Sequence, residues 1–191
     1  MDPIMTLRRK ALYLVIFHAL FYSVLIASMY VNFGNEELRR ILLEESLKSP
    51  MVSFIIYLVS LKLYNIAMLV IFLANLIVGT LLTITLPSVM PGAGLLMLLW
   101  RAYMWGVIYN LAHLDILVAI LPTLLLEAEG YVIALIGSFD IGLVLLRTRR
   151  REERREAFIR SLKECISLYL LVIVFLSAAA VVEVFTLANV R

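Results

Sequence analysis

A chain of 191 residues that is 63% hydrophobic, 16% charged and of mean hydropathy +1.01 has too little polar surface for a soluble protein, since soluble domains run at about 45–50% apolar and about 25% charged. The net charge of +3 sits mainly in basic residues beside apolar stretches, where it orients helices in a bilayer, so nucleic acid is excluded as the expected partner. The single cysteine, Cys165, excludes an internal disulfide and a cysteine-built metal site, and its place at the head of an apolar helix reads as packing.

In chain order, Arg8, Arg9 and Lys10 precede an apolar run over 11–33. Its 23 residues exceed the about 7–15 of a signal-peptide core, so it is read as a retained first span. Asn35 is an N-cap for a segment over 36–48 that carries seven charges around Leu38, Ile41, Leu42 and Leu47, the pattern of an amphipathic helix on the membrane surface. Residues 51–86 hold one charge, Lys62, in 36 positions, whereas about 20 residues cross a bilayer. The stretch therefore divides into an interfacial or re-entrant piece, 51–61, and a second span, 64–86. Pro87, Pro91, Gly92 and Gly94 mark a tight turn.

The third span is expected over 93–112. Proline removes a backbone donor and clashes with the preceding turn, so Pro122 is expected to separate a short segment, 114–121, from a fourth span over 123–146. A broken helix at membrane depth lines a cavity or is buried in protein. Residues 147–163 hold eight bases with Glu152, Glu153 and Glu156, and Glu156 and Arg160 stand at i,i+4, which reads as a solvated helix. A fifth span follows over 165–187. The fold class is thus an all-α polytopic transmembrane bundle of about five spans, a single integral membrane domain over 1–191 with an amphipathic interfacial helix and a broken helix near Pro122. With the N-terminus inside, eleven bases lie on the cytoplasmic side against four outside, Arg39, Arg40, Lys48 and Arg191. The positive-inside rule then gives N-terminus cytoplasmic and C-terminus outside.

Ionisable groups at membrane depth are costly and need a partner or a purpose. By helical rise, Arg101 lies about 12 Å and Asp140 about 10 Å from the cytoplasmic end, and this matched depth predicts that they pair. Such a pair either fixes helix register or takes part in a pathway. Asn75, near the middle of the second span, is placed to join by hydrogen bonding. A second tier, Glu127, Glu129 and Glu183 with Lys62, sets three acids against one base. Either a proton or bound cation supplies the missing charge, or some carboxylates reach water at the interface. Glu129 and Asp140, eleven residues apart, return to one helix face and give the fourth span a polar stripe.

Small residues at helical spacing, Ala102 and Gly106 in the third span and Gly130, Ala134 and Gly137 in the fourth, predict that these two spans pack closely together. His18 and His113 are isolated in sequence and read as satisfied histidines rather than metal ligands. No nucleophile and base motif stands out, and no cofactor or metal is expected.

The stretch over 71–141 resembles the stage II sporulation protein M family of polytopic membrane proteins. In that family an asparagine-bearing span is followed by a glycine turn, an Asn-Gly-x-x-Leu-Gly segment, and Pro-His-Gly-x-x-Glu leading into a helix rich in small residues. Here the order reads Phe72, Leu73, Ala74, Asn75; the turn Pro91, Gly92, Ala93, Gly94; Arg101 to Gly106; and Pro122 to Glu127. The positions Asn75, Gly106, Pro122 and Glu127 carry over, while Arg101 and Ala102 stand for the family's Asn-Gly and Thr123 and Leu124 for its His-Gly. The resemblance implies a membrane scaffold that assembles enzymes.

Two functions are expected. One is a non-enzymatic scaffold or accessory subunit of a membrane complex. The other is a small oligomeric transporter or channel for protons, cations or a small solute, using Glu127, Glu129, Asp140 and Arg101. The expected partners are the lipid bilayer and either other membrane proteins or further copies of the chain.

Overall fold

Every regular element in the computed structural model, which describes residues 2–90, 92–147 and 151–189, is helical. Helix α1, Pro3–Arg9, starts with Asp2 accepting from the Ile4 amide at 2.9 Å and proline in its first turn. Helix α2, Ala11–Val31, buries Phe17, Phe21, Leu25, Ser28 and Met29, a stripe at three- and four-residue spacing. Helix α3, Glu36–Lys48, is the expected surface helix, capped by the Asn35 side chain at 3.3 Å from the Leu38 amide and with no residue buried.

Helix α4, Pro50–Ser60, is a separate short apolar helix, as expected for 51–61. It closes with the Leu63 amide bonded to the Leu58 carbonyl at 2.9 Å and the Lys62 amide to that of Val59 at 2.9 Å. This double closure requires a left-handed residue at the helix end, and Lys62 takes that role at φ +59° where glycine is usual. The expectation that Lys62 belongs to the buried polar set is corrected here: it is an exposed turn residue.

Helix α5, Tyr64–Leu73, runs straight into a π-helical segment, Ala74–Thr85, and ends in a 3₁₀ turn, Pro87–Val89. A π-helix leaves the ladder wide and its carbonyls poorly matched. Threonines fill in: the Thr80 hydroxyl donates to the carbonyls of Asn75 and Leu76, and that of Thr83 to Gly79 at 2.7 Å.

Helix α6, Ala93–Ile108, begins after Gly92 at φ +87°. Gly94 faces Ser88 and the Ile84 carbonyl so closely that no Cβ fits. Helix α7, Leu114–Arg147, is the centre of the bundle, with 131–136 at most 2% exposed. Helix α8, Arg151–Asn189, packs antiparallel along it, Gly137 facing Cys165 and Gly130 facing Leu176.

Among the described residues, four helical stretches are long and apolar enough to cross a membrane: Ala11–Val31, Tyr64–Val89, Leu114–Leu146 and Glu152–Asn189. The fifth expected span is shorter, since α6 has 16 residues, about 24 Å. It nevertheless runs from one face of the bundle to the other. Lys10, Asp140 and Glu164 gather at one face, where Thr85 also meets Tyr169. At the other, Arg39 binds the Ile108 carbonyl at 3.0 Å, Asn110 the Asn32 carbonyl at 3.3 Å, and His113 the Glu36 carboxylate at 3.1 Å.

Two expectations about breaks are corrected. Pro122 lies inside α7 without interrupting it. Proline there forgoes one backbone bond, to the Val118 carbonyl, while Leu117 and Leu124 on either side pack into the core and hold the helix. The charged segment within 151–163 and the fifth span are likewise one helix, α8. The part of the expected solvated helix over 148–150 lies outside the described residues.

Candidate functional site

Three α-helices and the π-helical segment bring a polar cluster together near the middle of the membrane-length helices Tyr64–Val89 and Leu114–Leu146. Asn75 lies where α5 gives way to the π-helix, near the middle of the 26-residue span Tyr64–Val89. Its Nδ2 donates to Glu127 Oε1 at 2.5 Å. Tyr131, one turn along α7 from Glu127, donates from its hydroxyl to Asn75 Oδ1 at 2.9 Å and stands 3.4 Å from Glu127 Oε2. Glu127 is 8% exposed and Tyr131 not at all.

Arg101 on α6 lays its guanidinium 4.4 Å above the Tyr131 ring, the geometry of a cation–π contact, which strengthens away from water. Gly79 on the π-segment opens the space. A Cβ there would come within 3.0 Å of the Tyr131 hydroxyl and 3.3 Å of Arg101 Nη1. Glu183 on α8 and Tyr109 at the end of α6 are within electrostatic range of Glu127, as is Arg101. Among the described residues Glu127, Glu183 and Arg101 make no direct ion pair. The set therefore holds two carboxyls and one guanidinium within electrostatic range, with Asn75 and Tyr131 hydrogen-bonded to Glu127.

One turn before Glu127, Thr123 is 2% exposed and its hydroxyl has no hydrogen-bond partner. A threonine in a helix ordinarily bonds to the carbonyl four residues back. This one leaves a buried polar atom between Glu127 and the face where α7 begins.

The predicted Arg101–Asp140 pair does not form. Asp140 instead takes Lys10 at 2.7 Å, and Lys10 also reaches Glu164 at 3.2 Å and the Ile136 carbonyl at 3.4 Å, so each ammonium hydrogen has an acceptor. Arg9 adds a contact to Glu164 at 3.3 Å. Two bases and two acids close a neutral network that ties the α1–α2 junction to α7 and α8. Depth along one helix places a charge at a level but leaves open which neighbour shares it, and α2 rather than α6 lies beside Asp140.

Glu129 faces α2 as well, its Oε1 2.9 Å from His18 Nε2, while His18 Nδ1 meets the Leu14 carbonyl at 2.8 Å. The carbonyl can only accept, so Nδ1 carries a hydrogen, and the second bond holds a further proton shared between imidazole and carboxyl. Glu129 and Asp140 thus share the face expected of them, and that face is turned to α2.

The small residues pack, though not between α6 and α7. Gly106 lies against α2, where a Cβ would meet Ser28 Cβ at 2.5 Å and the Leu25 carbonyl at 2.7 Å, and Ala102 beside it is fully buried. Gly130 and Gly137 face α8, with Ala134 buried between them. The pattern specified close approach and left the partner open.

Tyr131 and Lys10 were not singled out in the sequence. The signal for Tyr131 was its i,i+4 spacing from Glu127, and for Lys10 its level at the start of α2 opposite Asp140. No family model, no curated protein and no solved structure matches this chain.

Proposed function

We propose that this protein is a small membrane transporter or channel whose pathway passes the Asn75–Glu127–Tyr131–Arg101 cluster. The observation that carries the reading is a buried carboxylate at mid-membrane, held by neutral hydrogen bonds with no cation in direct contact, beside a π-helical segment. Ionisable groups so placed mark ion and solute routes, and π-segments recur at functional sites. Glu129 with His18 is a second polar station on the same helix, whereas Asp140, locked by Lys10, is assigned to anchoring. The bundle is slender for a pathway of its own, which favours an assembly of several copies.

The face holding Arg8, Arg9, Lys10, Arg154, Arg155, Arg160 and Lys163 is assigned to the cytoplasm by its excess of bases, with the C-terminus outside. Reconstituted wild-type protein is expected to dissipate an imposed ion or pH gradient faster than empty liposomes, and Arg101→Met to slow it. Equal rates for wild type and empty liposomes refute the reading.

The Asn75–Glu127 contact also favours a second reading, because both residues belong to the stage II sporulation protein M pattern. On that reading the chain is a non-enzymatic scaffold or accessory subunit, and crosslinking in native membranes recovers a distinct membrane protein rather than the chain alone.

A further inference from the structure

We infer that the Asn75–Glu127–Tyr131 ring is a proton-binding site, with Glu127 the group that carries the proton, so that the species passed or coupled at mid-membrane is H⁺ rather than a metal cation. Its transport role rests on the reading above; its chemistry does not.

The argument is an inventory of hydrogens. The Tyr131 hydroxyl has one proton and two acceptors in reach, Asn75 Oδ1 at 2.9 Å and Glu127 Oε2 at 3.4 Å. The nearer acceptor takes it. Glu127 Oε1 is already served by Asn75 Nδ2. That leaves Oε2 facing the lone pairs of Tyr131 Oη, an unfavourable meeting for a buried carboxylate and a favourable one for a carboxylic acid. With a proton on Oε2, the carboxyl donates to Tyr131, Tyr131 to Asn75, and Asn75 back to Oε1. The ring closes.

Charge agrees. The groups facing Glu127 are Arg101 from α6, Glu183 from α8, Tyr109 at the end of α6, Asn75 from the π-segment, and Thr123 and Tyr131 on its own helix. Two ionised carboxyls against one guanidinium leave an excess negative charge in a low-dielectric interior. One proton on Glu127 removes it.

A metal cation fits poorly. Hard cations gather several oxygen acceptors, whereas the groups in hydrogen-bond contact with Glu127 are an amide N–H and a hydroxyl, and the Arg101 guanidinium within electrostatic range repels a cation and offsets the attraction of Glu183. Protonation forms an O–H bond at Oε2 using a proton delivered by hydronium, leaving water behind; release returns the proton to water and the carboxylate to its charged state. On release, rotation of the Tyr131 O–H toward Oε2 takes its hydrogen bond away from Asn75. The proton thus controls how firmly α7 holds the π-segment.

Two measurements on protein in lipid test this. Infrared difference spectra between acid and alkaline pH are expected to show a protonated carboxyl C=O band that is lost in Glu127→Gln and retained in Glu183→Gln. Glutamine keeps both ring partners, accepting from Asn75 and donating to Tyr131. Independently of any variant, dicyclohexylcarbodiimide, which reacts with protonated carboxyls in apolar surroundings, is expected to modify wild-type Glu127 and to do so less as pH rises. A band that survives in Glu127→Gln, or an adduct on Glu183 and none on Glu127, overturns the inference. An assigned Glu127 band with no flux sinks the transport role alone, while flux of a metal cation with Glu127 ionised throughout sinks the inference and spares transport.

Discussion

Lys10 directs its ammonium at Asp140, Glu164 and the Ile136 carbonyl from a position 8% exposed, and removing it strands Asp140 and leaves Glu164 with Arg9 alone. Breaking a buried pair from one side costs about 3–5 kcal/mol. Lys10→Met is therefore expected to lower the thermal unfolding midpoint in detergent sharply, and adding Asp140→Asn to recover part of the loss; an unchanged midpoint would show the network to be idle. Tyr131→Phe keeps the ring beneath Arg101 and deletes only the hydroxyl that serves Asn75 Oδ1. An unmade buried hydrogen bond costs about 1–3 kcal/mol, so this variant is expected to be modestly destabilised, with Asn75 and Glu127 less firmly coupled in a double-mutant cycle. Composition and depth made Asn75, Arg101, Glu127 and Asp140 legible, because a charge in an apolar run is conspicuous. Their partners were not, because pairing depends on helix neighbours and rotation, which one span's sequence does not encode.

At the scale of elements, α3 was readable to its ends because capping, charge pattern and length all agree over Glu36–Lys48. The π-segment was invisible. No residue type demands an i→i+5 ladder, and the threonines that support it by bonding carbonyls look like ordinary polar residues in a span. Pro122 misled in the opposite sense, since packing within α7 outweighs one missing backbone bond. The α2–α6 contact turns on Gly106, where a methyl group would fall 2.5 Å from Ser28 Cβ. Overpacking of this kind costs about 1–3 kcal/mol, so Gly106→Ala is expected to push these helices apart and lower the unfolding midpoint. The neighbouring Ser28→Gly, which removes the side-chain clash and leaves the Leu25 carbonyl at 2.7 Å, is expected to recover part of the loss in the double variant; no restoration would place the strain at the backbone or elsewhere.

For the whole molecule, the proposed topology puts the two ends of the chain on opposite faces of the membrane. Cysteines introduced at the exposed Met5 and near the C-terminal end at Leu187, with the buried Cys165 as the lone native thiol, are expected to label from opposite sides of sealed vesicles. Labelling of both from one side would require an even number of crossings. The larger claim is that the mid-membrane cluster works rather than merely braces. Proton flux and thermal stability measured on one preparation of Glu127→Gln in liposomes separate these roles. The account predicts that flux falls to the level of empty liposomes while the unfolding midpoint holds or rises, since glutamine preserves the ring; wild-type flux beside a lowered midpoint would contradict it and leave Glu127 a brace.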